Sequence, residues 1–297
     1  MTGPRNDRRH VTEILAAICL GALLMAGCSR EKTPARRFEV RGEIVGVDKL
    51  GHMIILKHHT IPGYMQAMTM GFEVKDDWVF NVAKPGDQVR ATLVVQGGHS
   101  WLEDLVIAEK AKRDANVPAP GALRTPEPGE AVPDFTLVDQ DGKSIDLHQY
   151  RGKTLLLTFI YTRCPLPDYC PLMSKNFAAI AAKLPGDAAL RDSVRLLSIS
   201  IDPEYDKPAV LRRYALEYVG KDSAETLKRW QLASGTPQEV RKIAEFFGLS
   251  YWKDSGQIIH ALVTAVVDPE GRVYKVYRGN DWQPTDVLEV IKEMKGA

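Results

Sequence analysis

The sequence has almost no net charge. Lysine and arginine total 39, aspartate and glutamate 38, which leaves +1. So balanced a chain has no field to draw in a polyanion, which argues against nucleic acid or an anionic surface as its ligand. Long apolar runs are missing too. The most apolar stretch, Ile14 to Gly27, is uncharged for 14 residues, short of the roughly 20 that cross a bilayer core as a helix. A multi-span membrane protein is therefore excluded. No internal repeat is present, and with 44% apolar and 26% charged residues the composition excludes a disordered or fibrous chain. The length suits about two domains.

What is present begins with a targeting segment, residues 1–27. Arg5, Arg8 and Arg9 form a basic region ahead of the apolar run, which has the length of a signal-peptide core. It ends in Leu24-Met25-Ala26-Gly27-Cys28. Small residues just before a cysteine resemble a bacterial lipobox. That resemblance implies that Cys28 is lipidated, becomes the first residue of the mature chain and anchors it to a membrane of the cell envelope, facing the periplasm. An uncleaved anchor or a plain signal peptide would equally place the rest of the chain outside the cytoplasm. Removing residues 1–27 takes away three basic and two acidic residues, so the mature chain is neutral.

Cysteine is scarce, four in all. Cys19 leaves with the targeting segment and Cys28 takes the lipid, so only Cys164 and Cys170 remain. A lone close pair in an oxidising compartment is either a redox disulfide or a metal site. As a structural staple it would contribute little, because the entropic gain grows with the loop closed.

Two domains are expected after residue 37. Residues 38–110 hold five β-rich runs: Phe38 to Val47, Met53 to Lys57, Met68 to Val74, Val89 to Val95 and Leu102 to Ile107. Gly, Asp and Pro separate them, as in a small all-β, OB-like barrel. Residues 111–130, with Pro118, Pro120, Pro126 and Pro128, have no apolar periodicity and read as a semi-rigid linker. Residues 131–297 alternate strands and helices. Thr154 to Tyr161 and Val194 to Ile201 are buried-strand runs. Pro171 opens a helix with Met173, Phe177, Ile180 and Leu184 on one stripe. Thr236-Pro237-Gln238-Glu239 is a capping box ahead of Val240, Ile243, Ala244 and Phe247. Leu262 to Val267 and Val273 to Tyr277 flank the turn Asp268-Pro269-Glu270-Gly271, and Thr285 to Lys295 is a last helix. This pattern fits a thioredoxin-like α/β domain.

Two motifs carry chemistry. The first is His58-His59-Thr60-Ile61-Pro62-Gly63-Tyr64-Met65-Gln66-Ala67-Met68-Thr69-Met70, with three of the eight methionines in six residues. On a strand Met68 and Met70 share a face. Thioethers are soft, neutral ligands that select Cu(I), and an imidazole on the neighbouring strand would complete a three-coordinate site. The bland alternative is core filler. The segment resembles the small periplasmic copper-binding domain of the CusF type over about residues 38–110. That resemblance implies a copper site made by His58, Met68 and Met70. Met65 stands where that family carries a ring, which makes it a candidate third thioether. Ligands at a barrel surface would be removable without unfolding the domain.

The second motif is Cys164-Pro165-Leu166-Pro167-Asp168-Tyr169-Cys170-Pro171, between a buried strand and a helix. A cysteine at a helix N-terminus is expected to have a lowered pKa, which favours metal thiolates and disulfide exchange alike. The segment resembles the Sco/SenC family, membrane-anchored copper proteins that help assemble the dinuclear copper centre of cytochrome c oxidase. Cys164-Pro165, Asp168, Cys170-Pro171, Ser200-Ile201-Asp202-Pro203-Glu204, His260 and Val267-Asp268-Pro269-Glu270-Gly271 match over about 129–297. Here five residues separate the cysteines, against three in that family. The resemblance implies a copper site of Cys164, Cys170 and His260, and a copper-protein partner such as the oxidase subunit. Asp202 reads as a turn-former or helix cap, and Asp168 as a cap or a group that tunes the thiols. His10, His52, His99 and His148 belong to no constellation.

The sequence therefore reads first as a lipid-anchored, periplasm-facing copper chaperone that delivers copper or reduces target cysteines. The alternative is an extracytoplasmic thiol–disulfide oxidoreductase without physiological copper, with Cys164 and Cys170 as its redox pair. A peroxidase fits less well, because Thr162 and Cys164 have one residue between them where peroxiredoxins have two.

Overall fold

The protein was analysed as a computed structural model that describes residues 34–97, 99–110, 124–219, 223–254 and 256–296. The targeting segment, Cys28 and linker residues 111–123 lie outside the described residues. Among the described residues no helix is long and apolar enough to cross a membrane. The described residues from 35 onward form one compact unit.

Five strands, β1 (Arg36–Asp48), β2 (Met53–His58), β3 (Met68–Val74), β4 (Gln88–Gln96) and β5 (His99–Glu109), follow one another with one short helical turn, α1 (Val79–Val82), before β4. They close in the order β1-β2-β3-β5-β4. All neighbours are antiparallel except β3 and β5. Alternate residues fill the interior, including Val40 and Ile44 from β1, Ile54 and Leu56 from β2, Met70 and Phe72 from β3 and Leu93 from β4. Gly42 faces His58 across the β1–β2 ladder. A Cβ at Gly42 would sit 2.7 Å from the His58 Cα, so only glycine lets β1 pass this close to the histidine backbone.

The second part is a seven-stranded sheet in the order β14-β13-β8-β9-β10-β6-β7. Its strands are β6 (Thr136–Asp139), β7 (Ser144–Asp146), β8 (Thr154–Ile160), β9 (Val194–Ser200), β10 (Trp230–Ser234), β13 (Val263–Val267) and β14 (Val273–Arg278), and the hairpin β11 (Tyr251–Asp254)–β12 (Gln257–His260) stands apart. The helices are α2 (Cys170–Lys183), α3 (Pro208–Leu216), α4 (Ser223–Leu227), α5 (Pro237–Phe246) and α6 (Pro284–Gly296). β8, β9 and β10 run parallel. Every residue of β8 is buried, as a strand covered on both faces requires. This is the thioredoxin-like fold. Thr236 caps α5, its hydroxyl accepting from Glu239 N at 3.2 Å. The Glu239 carboxylate accepts from Thr136 N and so ties the helix to β6.

Trp230 is fully buried and its Nε1 donates to Ser198 Oγ at 3.0 Å. Trp230→Ala is expected to lower stability by about 3–5 kcal/mol, read as an earlier urea midpoint at unchanged slope.

Residues 124–130, read above as linker, are laced to the sheet. Gly129 N donates to Val273 O at 2.7 Å, Val273 N to Glu130 O at 2.8 Å and Arg278 Nη2 to Thr125 Oγ1 at 2.9 Å. The barrel docks against the α/β part through the loop between the cysteines. Leu166 and Tyr169 pack on the barrel core. The Tyr169 hydroxyl donates to Gly71 O on β3, and a Cβ at Gly71 would lie 3.4 Å from that hydroxyl. Largely buried Asp48 and Arg278 add an ion pair at 3.9 Å.

Candidate metal centres

β8 delivers the chain to Tyr161, and a tight turn, Cys164 N donating to Tyr161 O at 3.2 Å, presents Cys164. α2 then begins at Cys170 with Pro171 in its first turn. His260 ends β12. Cys170 Sγ lies 3.6 Å from His260 Nε2. His260 Nδ1 lies 2.7 Å from Ala261 O. A carbonyl can only accept, so Nδ1 holds the ring proton and Nε2 turns its lone pair to the sulfur. Both cysteines are free.

The two thiols are driven apart in pKa. The hydrogen bond from the Cys170 thiol, stronger than the opposing effect of burial, lowers Cys164 to about 7. Cys170, 0% exposed, is pushed well up by burial. This corrects the expectation from helix position, since burial of Cys170 outweighs the dipole at the start of α2. Burial also lowers His260 to about 4, so its ring is neutral across the physiological range. The trio is assembled pairwise, Cys170 with His260 and Cys164 with Cys170. Among the described residues no three His, Cys, Asp or Glu side chains form a ready cage, so a metal would draw Cys164 in. Iodoacetamide is expected to label Cys164 with a midpoint near pH 7, faster above it because the thiolate is the nucleophile, and to spare Cys170 in the native chain.

The residues that hold this loop were not legible in the sequence. Asp202 opens the turn expected of it, its carbonyl accepting from Tyr205 N at 3.0 Å and from Asp206 N at 2.8 Å, and its carboxylate has a further part. It is buried and pairs with Arg163 at 2.5 Å, whose guanidinium also lies over the Tyr205 ring. Buried Asp206 accepts from Thr162 N at 3.0 Å, Thr162 Oγ1 at 2.5 Å and Ser200 Oγ at 2.5 Å. These contacts clamp residues 162–163, next to Cys164, onto the end of β9. Asp168 lends its carbonyl to Asn280. The cap residue of α2 is Tyr169, and no side-chain hydrogen bond caps that helix.

In the barrel, His58 stands directly across from Met68, and Leu56 across from Met70. Period-two alternation puts all four on the inner face. His58 is 1% exposed and Met70 5%. That corrects the expectation of ligands at the barrel surface: Met70 is part of the core. His58 is anchored as His260 is, its Nδ1 lying 2.7 Å from the carbonyl of the following residue. Its Nε2 is buried with no hydrogen-bond partner, and the ring meets Phe72 edge-on at 5.6 Å. A buried bare nitrogen beside thioethers is the donor set of a soft cation. Burial lowers the His58 pKa, which favours the neutral, ligating ring. Met65 packs against the same core and bridges to Ile61. A cavity of about 470 Å³ opens beside His58 and Met68. His59 is exposed. His52 pairs with Asp77 and His148 with Asp134, away from both centres.

Comparisons with known proteins divide the chain at the same place. The family model described as SCO1/SenC matches residues 124–296, more than half of the chain. The model described as copper binding periplasmic protein CusF matches residues 37–106. A SCO1 protein homolog of Bacillus subtilis is 32% identical over 170 residues, 56% of this chain and 82% of its own. Among solved structures, a SCO1/SenC family lipoprotein from Bacillus anthracis is 27% identical with a TM-score of 0.49, over 58% of this chain and 98% of its own. Arabidopsis thaliana ScoI with copper bound is 25% identical with a TM-score of 0.48, over 56% of this chain and 99% of its own.

Proposed function

This chain belongs to the SCO1/SenC family, and from that premise we propose that it is a copper-delivery protein with two copper sites. Cys164, Cys170 and His260 bind copper in the thioredoxin-like part. His58, Met68 and Met70, with Met65 as a further thioether, bind Cu(I) in the barrel. The chain is held by a lipid on Cys28 at a membrane of the bacterial envelope, facing the periplasm. It passes copper to the dinuclear centre of cytochrome c oxidase, or reduces the cysteines that will hold it. The observation that carries this reading is the pairing of Cys170 Sγ with His260 Nε2 at 3.6 Å, with the second thiol beside it.

Copper is the cargo here. The thiols give up their protons as copper binds, and the neutral imidazole needs none removed. The free His58 Nε2 meets the same requirement in the barrel. Metal analysis of residues 31–297 tests the reading. Two equivalents of copper are expected after reduction and one after oxidation to the Cys164–Cys170 disulfide. If the reduced chain retains no copper, the reading is wrong.

The split between the thiols favours a second reading. A Cys164 lowered to about 7 beside a buried, raised Cys170 is the asymmetry of an attacking and a resolving thiol. A thiol–disulfide oxidoreductase would show exchange activity with no dependence on His260 and no copper-thiolate absorption.

A further inference from the structure

The two sets of donors lie on opposite sides of one strand. β3 turns Met68 and Met70 into the barrel and Thr69 and Gly71 outward, where Thr69 is almost fully buried. The surface over Thr69 and Gly71 is the thiol centre itself. A cavity of only about 10 Å³ is lined from the barrel side by Thr69, Met70 and Gly71, and from the other by Cys164, Tyr169 and His260 among others. It is at the limit for one water. Thr69 and Gln257 line both this cavity and the larger one beside His58 and Met68, so the two spaces meet at that pair. Met70 belongs to the barrel core and also lines the cavity next to Cys164 and His260. The loop that makes the contact is the long one between the cysteines, through Leu166 and Tyr169.

We propose that Cu(I) passes inside the chain from the barrel to the thiols, leaving His58 and Met68 by way of the Thr69–Gln257 seam where the two cavities meet. The inference rests on the two copper sites proposed above. Copper stays Cu(I) throughout and no electron moves. Bonds to His58 and to a thioether break as bonds to the sulfurs of Cys164 and Cys170 form, and each protonated thiol releases its proton to solvent. The soft thioethers release Cu(I) to thiolates because a thiolate adds charge to the same soft sulfur. Because donor and acceptor share one chain, the acceptor is present at an effective concentration of about millimolar or above, whatever the dilution.

The test uses the soluble chain oxidised at Cys164 and Cys170 and loaded with one equivalent of Cu(I), which only the barrel can hold. It is then reduced with a phosphine in the presence of excess bathocuproine disulfonate. Thiolate-to-copper absorption reports arrival, and chelator colour reports escape. The expected result is a first-order rise whose rate constant is unchanged by about hundredfold dilution, with little copper captured. Asp48→Asn, outside both sets of donors, removes the ion pair with Arg278 and loosens the docking. It is expected to raise capture about tenfold while each site keeps its stoichiometry. A rate that falls with dilution, or capture of most of the copper by the wild type, overturns the relay and leaves both sites standing. An oxidised chain that holds no Cu(I) removes the barrel site. A reduced, loaded chain without thiolate absorption removes the thiol site. Either result ends the relay too, and the stoichiometry shows which.

Discussion

Serine in place of Cys164 or Cys170 is expected to strip copper from the thioredoxin-like part, weakening it by at least about a thousandfold, or ~4 kcal/mol. A hydroxyl at either position cannot supply the anionic soft sulfur that copper selects. Oxidation to the disulfide should do the same and leave the barrel loaded. His260→Ala should have a smaller effect, about ten- to a hundredfold, falling chiefly on Cu(II), which imidazole suits. It should leave thiol–disulfide exchange nearly intact, since the ring touches the buried Cys170 and the thiol with the lowered pKa is Cys164. The pH dependence follows from the same groups. Below about pH 7 copper must displace protons from both thiols. Above it Cys164 is already ionised and one proton remains to be displaced, on Cys170. Affinity at this site should therefore fall as pH drops and fall more steeply below 7. His260, neutral down to about 4, adds nothing to that slope. Competition titrations with a chelator of known affinity measure each of these outcomes. An unaltered thiolate-to-Cu(II) band in His260→Ala would separate the histidine from the metal.

Much of this centre was legible because its chemistry sits in local sequence. Cys164 and Cys170 stand between an all-buried strand and a proline-started helix, and β8 and α2 form there. The β3 boundaries, Met68–Val74, are those of the β-rich run in the sequence. What could not be read was long-range. Asp202 and Asp206 reach residues 163 and 162 from about forty positions away, and no periodicity marks such a partnership. The direction of the Cys170 shift depends on how deeply α2 is buried, which its own residues do not state. The role of the longer cysteine loop was hidden for the same reason. Leu166 and Tyr169 look like stray apolar residues in a loop until the barrel is seen beneath them. The inward turn of Met68 and Met70 was legible as a shared face. Which face it was depended on the closure of β1 onto β4, a property of five strands together.

That closure changes what the barrel variants must show. Alanine at Met70 opens a void in a packed core and is expected to destabilise the chain by about 2–5 kcal/mol whatever its role in metal binding, so Met68→Ala with Met70→Ala would confound folding with ligation. Leucine keeps the volume, costs under about 1.5 kcal/mol at each position and removes only the sulfur. The chain carrying Met68→Leu and Met70→Leu is therefore expected to fold, keep copper at the thiols and lose the barrel's Cu(I) entirely. Thermal unfolding supplies an independent measure. In the metal-free wild type the His58 Nε2 is buried without a partner, an omission that costs about 1–3 kcal/mol. On the proposed site, Cu(I) would satisfy that nitrogen in the folded chain alone and so raise the midpoint by mass action. With the thiols blocked by oxidation, one equivalent of Cu(I) should raise the midpoint of the wild type and leave that of the double-leucine chain unmoved. Full Cu(I) stoichiometry in the double-leucine chain would mean that the methionines only fill the core, and His58 would then need another explanation for its unpaired nitrogen.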